Sequence, residues 1–357
     1  MTSASPRVEP LPESEWTDAH REALRRAEID GPPDPFTSSL LRVPELMDGV
    51  TPMTRYVTEQ STLAPEHRLL LALRTTWLEG SPALWAAAVE RSTAGHSELP
   101  EAALEHPDLD SIDHTLLQFA DELVLTAAVS DATWARLADG HDTLWMMDAV
   151  ETVAHHSFLC CLERSFGPSA SDASMPVRPD RPTPPHRPGK PDEARIDPIE
   201  GDGIAVHRTF ARHPEMNEAR RPRPRFINHI STLTPHDRET LILRIGWDCR
   251  SEYEWAKHVG TVGRARDHGV DPDLIVAGPS AAGVTEHDAL LMQLADDLSQ
   301  HSRVADPTWS ALRDGDDLKT VMSSVFSAAS YRSTSMSLNA YGVQLEPGDE
   351  HFPPISR

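Results

Sequence analysis

The sequence predicts an all-α protein: two similar helical domains in tandem, joined by a proline-rich linker. Three observations carry this expectation. Apolar residues recur at helical spacing between recognisable start and stop signals. Clear alternating strand patterns are absent. The two halves of the chain also repeat each other, which is the first thing to look for in a chain of this length.

From residue 168 to 191 the chain reads PSASDASMPVRPDRPTPPHRPGKP, with eight prolines in 24 positions. Proline fixes φ and lacks an amide hydrogen, so this stretch is expected to be an extended, semi-rigid spacer. It divides the 357 residues almost in half, and such a length alone suggests about two domains. The expected layout is a flexible N-terminus over 1–14, a first domain over 15–167, a linker over 168–200 and a second domain over 201–350.

The halves align at a constant offset. STLAPEHRLLLALRTTWLEGSPALWAAAV (61–89) lies on STLTPHDRETLILRIGWDCRSEYEWAKHV (231–259), 170 positions on, with 13 of 29 residues identical and no gap. RVPEL (42–46) and RHPEM (212–216) share that offset. Five residues are then inserted in the second half. DHTLLQFADEL (113–123) consequently matches DALLMQLADDL (288–298), and VSDATW (129–134) matches VADPTW (304–309), at an offset of 175.

Each element has a local reason. PEHRLLLALRTTW and PHDRETLILRIGW put proline in a first helical turn, where its missing amide costs nothing, ahead of apolar residues at helical spacing. HTLLQFADELVL and ALLMQLADDLSQ are amphipathic and of helix length. DATWARLADG and DPTWSALRDG begin with aspartate as the candidate N-cap and end at glycine.

Composition narrows the function. Lys plus Arg number 33 against 56 Asp plus Glu, a net charge of −23. That opposes nucleic-acid binding, which needs a basic face for phosphates. No segment approaches the run of about 18 apolar residues that a membrane helix requires. The start, MTSASPRVEPLPESEW, has no charged-then-apolar signal pattern, so a cytoplasmic protein is expected. Cys160, Cys161 and Cys249 form no CxxC pair, so they are expected to be plain thiols. His156 and Cys160 in VAHHSFLCC lie four apart, but with no third ligand at convincing spacing no metal site is expected.

The most informative stretch is DCRSEYEWAKHVG (248–260). One reading is local: Ser251 and Glu254 form a capping box at a helix start. The other comes from the first half, where the aligned residues are SPALWAAAV. Ser81 and Trp85 match Ser251 and Trp255, whereas Glu252, Tyr253, Glu254 and His258 face Pro82, Ala83, Leu84 and Ala88. The same helix is thus specified without the four polar groups, which points to a task that only the second copy performs. Glu254 and His258, four apart, share a helical face with Ser251 and Trp255; if the helix runs unbroken, Trp247 and Arg244 join that stripe. A carboxylate beside an imidazole can orient it, raise its pKa and exchange protons with it, chemistry worth about 10² to 10⁴ in rate.

The residues RETLILRIGWDCRSEYEWAKHVGTVGRARDHGVDPDLI (238–275) resemble the core of the carboxymuconolactone decarboxylase family, relatives of the AhpD-type alkylhydroperoxidases. LNAYGVQLEPG (338–348) resembles the end of such domains. The likeness covers most of 205–350 and, through the repeat, a degenerate copy over about 37–167. It implies compact helical domains that assemble as trimers or hexamers, so a fused double unit is expected to form a homo-oligomer, with three chains imitating a hexamer. The peroxidase branch carries a Cys-x-Tyr-Cys-x-x-x-His motif; Ser251, Tyr253, Glu254 and His258 stand at those positions, and Cys249 is alone nearby. A thiol peroxidase needs an attacking and a resolving thiol.

The SEYEW…H form instead resembles the decarboxylase-like branch. It implies cofactor-free acid–base chemistry on a small oxygenated, carboxylated or lactone-like substrate, by a lyase, isomerase or cyclase. His258, Glu254, Tyr253 and Glu252 are then the catalytic candidates: His258 supplies a proton, Glu254 holds and returns it, and Tyr253 donates to an oxyanion. Glu252 has the alternative of favourable charge at a helix N-terminus. Ser251, Trp255, Arg244, Cys249 and Tyr331 are the substrate-binding candidates. Arg244 has a structural alternative, because Arg74 occupies its place in the first copy; Arg238, matched by Arg68, falls under the same argument. Tyr331, matching His156, falls on the last long helix. The competing expectations are a non-catalytic binding or scaffold protein and a residual peroxidase-like oxidoreductase.

Overall fold

The structure, a computed structural model, describes residues 5–105, 111–167, 175–176 and 190–353. Most of the expected spacer, 168–174 and 177–189, lies outside the described residues. The regular elements among the described residues are all helical. The first half contains α1 (Asp18–Arg26), α2 (Pro35–Leu40), α3 (Glu45–Arg55), α4 (Pro65–Glu79), α5 (Pro82–Ser92), the short α6 (Leu99–Ala102), α7 (Ile112–Thr126), α8 (Asp131–Ala138) and the long α9 (Thr143–Phe166). The second contains α10 (Ala205–Phe210), α11 (Pro214–Arg220), α12 (Pro222–His229), α13 (Pro235–Asp248), α14 (Glu252–Val259), α15 (Pro272–Ala277), α16 (Glu286–His301), α17 (Asp306–Gly315) and α18 (Leu318–Tyr341). Helix starts recur at the sequence offsets: α4 and α13, or α5 and α14, begin 170 residues apart, and α8 and α17, or α9 and α18, begin 175 apart. No helix among the described residues is long and apolar enough to cross a membrane.

Local chemistry explains most boundaries. Proline occupies the first turn of α4, α5 and α13. Asp142 and Asp317 cap α9 and α18 by accepting Trp145 N–H at 2.9 Å and Thr320 N–H at 2.7 Å; each such cap contributes about 1 kcal/mol. One expectation shifts by a residue. The N-caps of α8 and α17 are Ser130 and Ala305, not the aspartates, which sit at the first helical position. The aspartates bind arginines instead.

Those arginines cross between the halves. Arg195, just before the second half, pairs with Asp131 at 2.6 Å, donates to Val129 O and stacks on Trp134. Arg7, at the start of the chain, pairs with Asp306, donates to Val304 O and stacks on Trp309. Each half is therefore strapped by the segment that leads into the other. The N-terminal stretch, expected as flexible over 1–14, is anchored over its described part, with Val8 and Leu11 buried.

The centre of the molecule is α9 against α18. Both are buried along nearly their whole length, as a helix must be when neighbours cover it on every side. Their contact is partly polar: Glu151 accepts from the Ser337 hydroxyl at 2.6 Å and from Tyr341 at 3.1 Å. Arg332 of α18 reaches into the first half, pairing with Glu79 at 3.0 Å and donating to Ser157. Arg223 does likewise toward His155, 2.6 Å from its Nδ1. A charge buried this deeply is tolerable only when paired and hydrogen-bonded. These pairs fix how the halves meet, and one apolar core runs through both.

Candidate active site

Between α13 and α14 the chain breaks its helical course at Cys249–Ser251. Arg250 adopts the left-handed conformation (φ 55°) where the first copy has Gly80 (φ 72°). The stripe expected to join Arg244 and Trp247 to Glu254 is therefore interrupted, because α14 sets out in a new direction. That redirection lays His258 against α13, where Glu239 meets it. Glu239 Oε2 lies 2.6 Å from His258 Nδ1, and Glu254 Oε1 lies 3.0 Å from His258 Nε2. Arg238 holds the other oxygen of Glu239 at 3.1 Å. All three members of the chain Glu239–His258–Glu254 are buried.

The electrostatics follow. Burial alone would drive His258 toward the neutral form, but the Glu239 carboxylate, with Glu254 beside it, overrides this and lifts the imidazole to about 10. Burial would likewise raise the pKa of Glu239, yet the charge and hydrogen bond of His258, together with Arg238, bring it below the usual carboxylate value. Two carboxylates, one imidazolium and one guanidinium balance to zero, which makes their burial affordable without a further counter-ion. The edge of the cluster is set by Tyr331 of α18, whose ring stands perpendicular to the imidazole at 5.2 Å. Burial, and then the charges of Glu254 and Glu239, push its hydroxyl pKa up, so Tyr331 stays neutral and able to donate.

Gly263 closes the other side. A Cβ there would lie 2.7 Å from His258 Nδ1 and closer still to Glu239 Oε2. Only a residue without a side chain lets the backbone approach the Glu239–His258 bond so closely.

The remaining sequence candidates separate cleanly. Tyr253 neighbours Glu254 in sequence and so projects about 100° away on the helix. Its hydroxyl accepts Val206 N–H at 3.0 Å, so an oxyanion-donating role beside His258 is not supported. Glu252 binds the C-terminal segment, His351 Nδ1 at 2.9 Å. Ser251 is the N-cap residue by position, but its hydroxyl makes no cap bond and has no partner. The capping box of the local reading is absent, because the carboxylate of Glu254 is turned to His258. Trp255 is fully buried against Trp247 and Phe352, in an apolar cluster apart from the main core. Arg244 pairs with Asp296 at 2.5 and 3.0 Å and donates to Ile275 O. Arg74 repeats this geometry with Asp121 and Ala103 O, so the arginine is a shared structural pair. Cys249 is buried in the core, and its carbonyl accepts from Asn339.

Glu239 is the member that motif spacing misses, since it comes from a different helix. The repeat carries its signal: Glu239 faces Leu69, just as Glu254 and His258 face Leu84 and Ala88. Beside Leu69 the first copy keeps a cavity of about 150 Å³, lined also by His156, the counterpart of Tyr331, but not by Leu84 or Ala88.

Comparison with protein-family models, with curated proteins and with solved structures finds no match.

Proposed function

We propose that this chain is a cofactor-independent acid–base enzyme, a lyase or isomerase acting on a small oxygenated, carboxylated or lactone-like substrate, with Glu239–His258–Glu254 handling the proton. The observation that carries the reading is the presence of this buried chain in one copy and of Leu69, Ala88 and Leu84 in the other. A fold element that packs without three ionisable groups has no structural need to bury them. The resemblance of 238–275 to the carboxymuconolactone decarboxylase family agrees with it. The same reading expects the chain to assemble into a homo-oligomer, which light scattering on the purified chain tests.

In this reading the proton moves along the chain of three. Both nitrogens of His258 face carboxylates, so the ring exchanges protons only with Glu239 and Glu254. Glu254 is then the group that meets substrate, His258 recharges it across 3.0 Å, and Glu239 with Arg238 holds the ring. In an isomerisation the substrate C–H bond breaks, its proton passes to Glu254, the electron pair remains as an enolate, and the proton returns at another carbon. In a decarboxylation the bond to the carboxylate carbon breaks, CO₂ leaves, and the pair left on carbon takes the proton that His258 passes through Glu254. In this reading Tyr331 donates a hydrogen bond to the enolate oxygen.

A second reading, a binding or scaffold protein, draws on one specific fact: the cluster is charge-balanced and internally hydrogen-bonded. The experiment that separates the two incubates the protein with a panel of enol-lactones and β-keto acids in D₂O, following CO₂ release and deuterium incorporation. The enzyme reading expects turnover by the native chain, a loss of about 10² or more in Glu254→Gln and His258→Asn, and full activity in Cys249→Ser. Activity that disappears with Cys249→Ser would restore the peroxidase-like alternative. No turnover anywhere in the panel would leave the scaffold reading.

A further inference from the structure

We infer that the first half carries a second binding site, independent of the acid–base cluster, for a small hydroxycarboxylic acid: the cavity beside His156, with Arg91 and Arg68 taking the carboxylate and His156 Nε2 taking the hydroxyl. The cavity measures about 150 Å³, a volume that accommodates a single six-membered ring. Its walls divide into two kinds. Val57, Leu69 and Ala72 supply an apolar surface, and Arg68, Arg91 and His156 supply the polar one. No carboxylate lines it, in a chain whose net charge is −23.

The polar groups are left with unspent valences. Arg91 stands at the exposed mouth and has no ion pair or hydrogen bond among the described residues. Arg68 uses Nε on Leu63 O and one terminal nitrogen on Thr58 O, which leaves the other terminal nitrogen free. A guanidinium is the side chain best matched to a carboxylate, because its planar fork donates two parallel hydrogen bonds. His156 lies 4% exposed at the back of the space. Its Nδ1 is 2.7 Å from Thr152 O, an acceptor, so Nδ1 carries the proton and Nε2 presents a lone pair. Burial, and then the charge of Arg91, bring its pKa down to about 4, so the ring is neutral near pH 7. A neutral imidazole nitrogen repels a carboxylate and accepts from a hydroxyl. The complement is thus an anion at the mouth, an apolar ring in the middle and a hydroxyl at the back.

The second copy explains why this arrangement belongs to the first. There Leu69 is replaced by Glu239 and His156 by Tyr331, so a carboxylate occupies the apolar wall and a donor replaces the acceptor. The repeat has diverged into sites of opposite preference.

Titration calorimetry of the full chain with 3-hydroxybenzoate, benzoate and 3-methylphenol tests the assignment. Saturable binding of 3-hydroxybenzoate is expected, with benzoate severalfold weaker for want of the hydroxyl, and 3-methylphenol about tenfold weaker or more for want of the charge. Arg91→Gln is expected to weaken 3-hydroxybenzoate by about tenfold, while Arg225→Gln, which removes an exposed arginine elsewhere, leaves it unchanged. The assignment is overturned if the native chain shows no saturable heat up to about 10 mM ligand, if 3-methylphenol binds as tightly as the acid, or if Arg91→Gln binds as the native chain does. Equal losses in Arg91→Gln and Arg225→Gln would also overturn it, as general attraction of an anion. None of these results depends on turnover at Glu254.

Discussion

Glu239 and His258, 19 residues and a change of helix apart, meet at 2.6 Å beneath the backbone of Gly263. The contact converts a pair on one helical face into a three-membered chain, and it decides the protonation of the ring.

The first prediction concerns pH. The folded-state pKa of His258, about 10, stands above an unfolded value of about 6.5. The folded state therefore binds this proton more tightly, so the contribution to stability is full below about pH 6.5 and is lost as pH rises through about 10. Ring resonances of His258 are expected to stay in the protonated form across pH 6 to 8 in heteronuclear NMR. A midpoint near 6.5 would show that the carboxylates do not govern it. Glu239, whose pKa is lowered, adds a contribution of the opposite sense, present above about pH 4.5 and lost as pH falls through its folded value.

Restoring the first-copy pattern separates function from packing. His258→Ala alone leaves Glu239 and Glu254 buried without their cation and is expected to cost about 3–5 kcal/mol in denaturant unfolding. The triple change Glu239→Leu, Glu254→Leu and His258→Ala replaces charge by apolar volume, as the first copy does. It is expected to be near neutral or more stable, yet inactive in the deuterium-exchange assay. Additive losses across the three positions would contradict a coupled cluster.

Gly263→Ala drives a methyl group against both Glu239 Oε2 and His258 Nδ1, and against the His258 carbonyl. The pair must separate, so the His258 pKa is expected to fall toward its ordinary value and activity to fall with it. An unchanged NMR titration of His258 would show that the loop yields instead.

Ser251 and Ser81 occupy matched positions and should respond differently. Ser81 donates to Glu163 at 2.7 Å inside the core, so Ser81→Ala leaves a buried carboxylate oxygen without that donor and should cost about 1–3 kcal/mol. The Ser251 hydroxyl is buried without a partner, so Ser251→Ala should fall short of the roughly 1 kcal/mol of a lost cap. Unfolding curves of the two variants decide this directly.

Arg332 and Glu79 tie the halves together. Arg332→Met strands a carboxylate that is fully buried and is expected to cost about 3–5 kcal/mol. Tryptophan fluorescence and far-UV dichroism of this variant should report one lowered transition, since a single core spans both halves.

Much of the molecule was legible in the sequence because its signals are local. Proline in a first turn, an aspartate cap and apolar spacing specify a helix whatever surrounds it, and the repeat at 170 and 175 places the equivalents. Copy comparison also offered a shared structural ion pair as the alternative to substrate binding for Arg244, and it singled out Glu254 and His258. The pairing of Glu239 with Leu69 carries a signal as well, but Glu239 lies on α13 and His258 on α14, so spacing along one helix does not link them. Local spacing leaves Glu254 two uses for one carboxylate, a capping box or a partner for His258, and only the path of the chain decides between them.

The sequence by itself therefore determined the helices, their duplication and which copy carries ionisable groups. Tertiary structure alone decided what those groups touch. The turn at Arg250 aims α14 at α13, the approach of Gly263 seals Glu239 onto His258, and the meeting of α9 with α18 fixes where Tyr331 and His156 stand. Hydrogen bonds and ion pairs act over a few ångströms of space, and a spacing along the chain specifies such a distance only within a single helix.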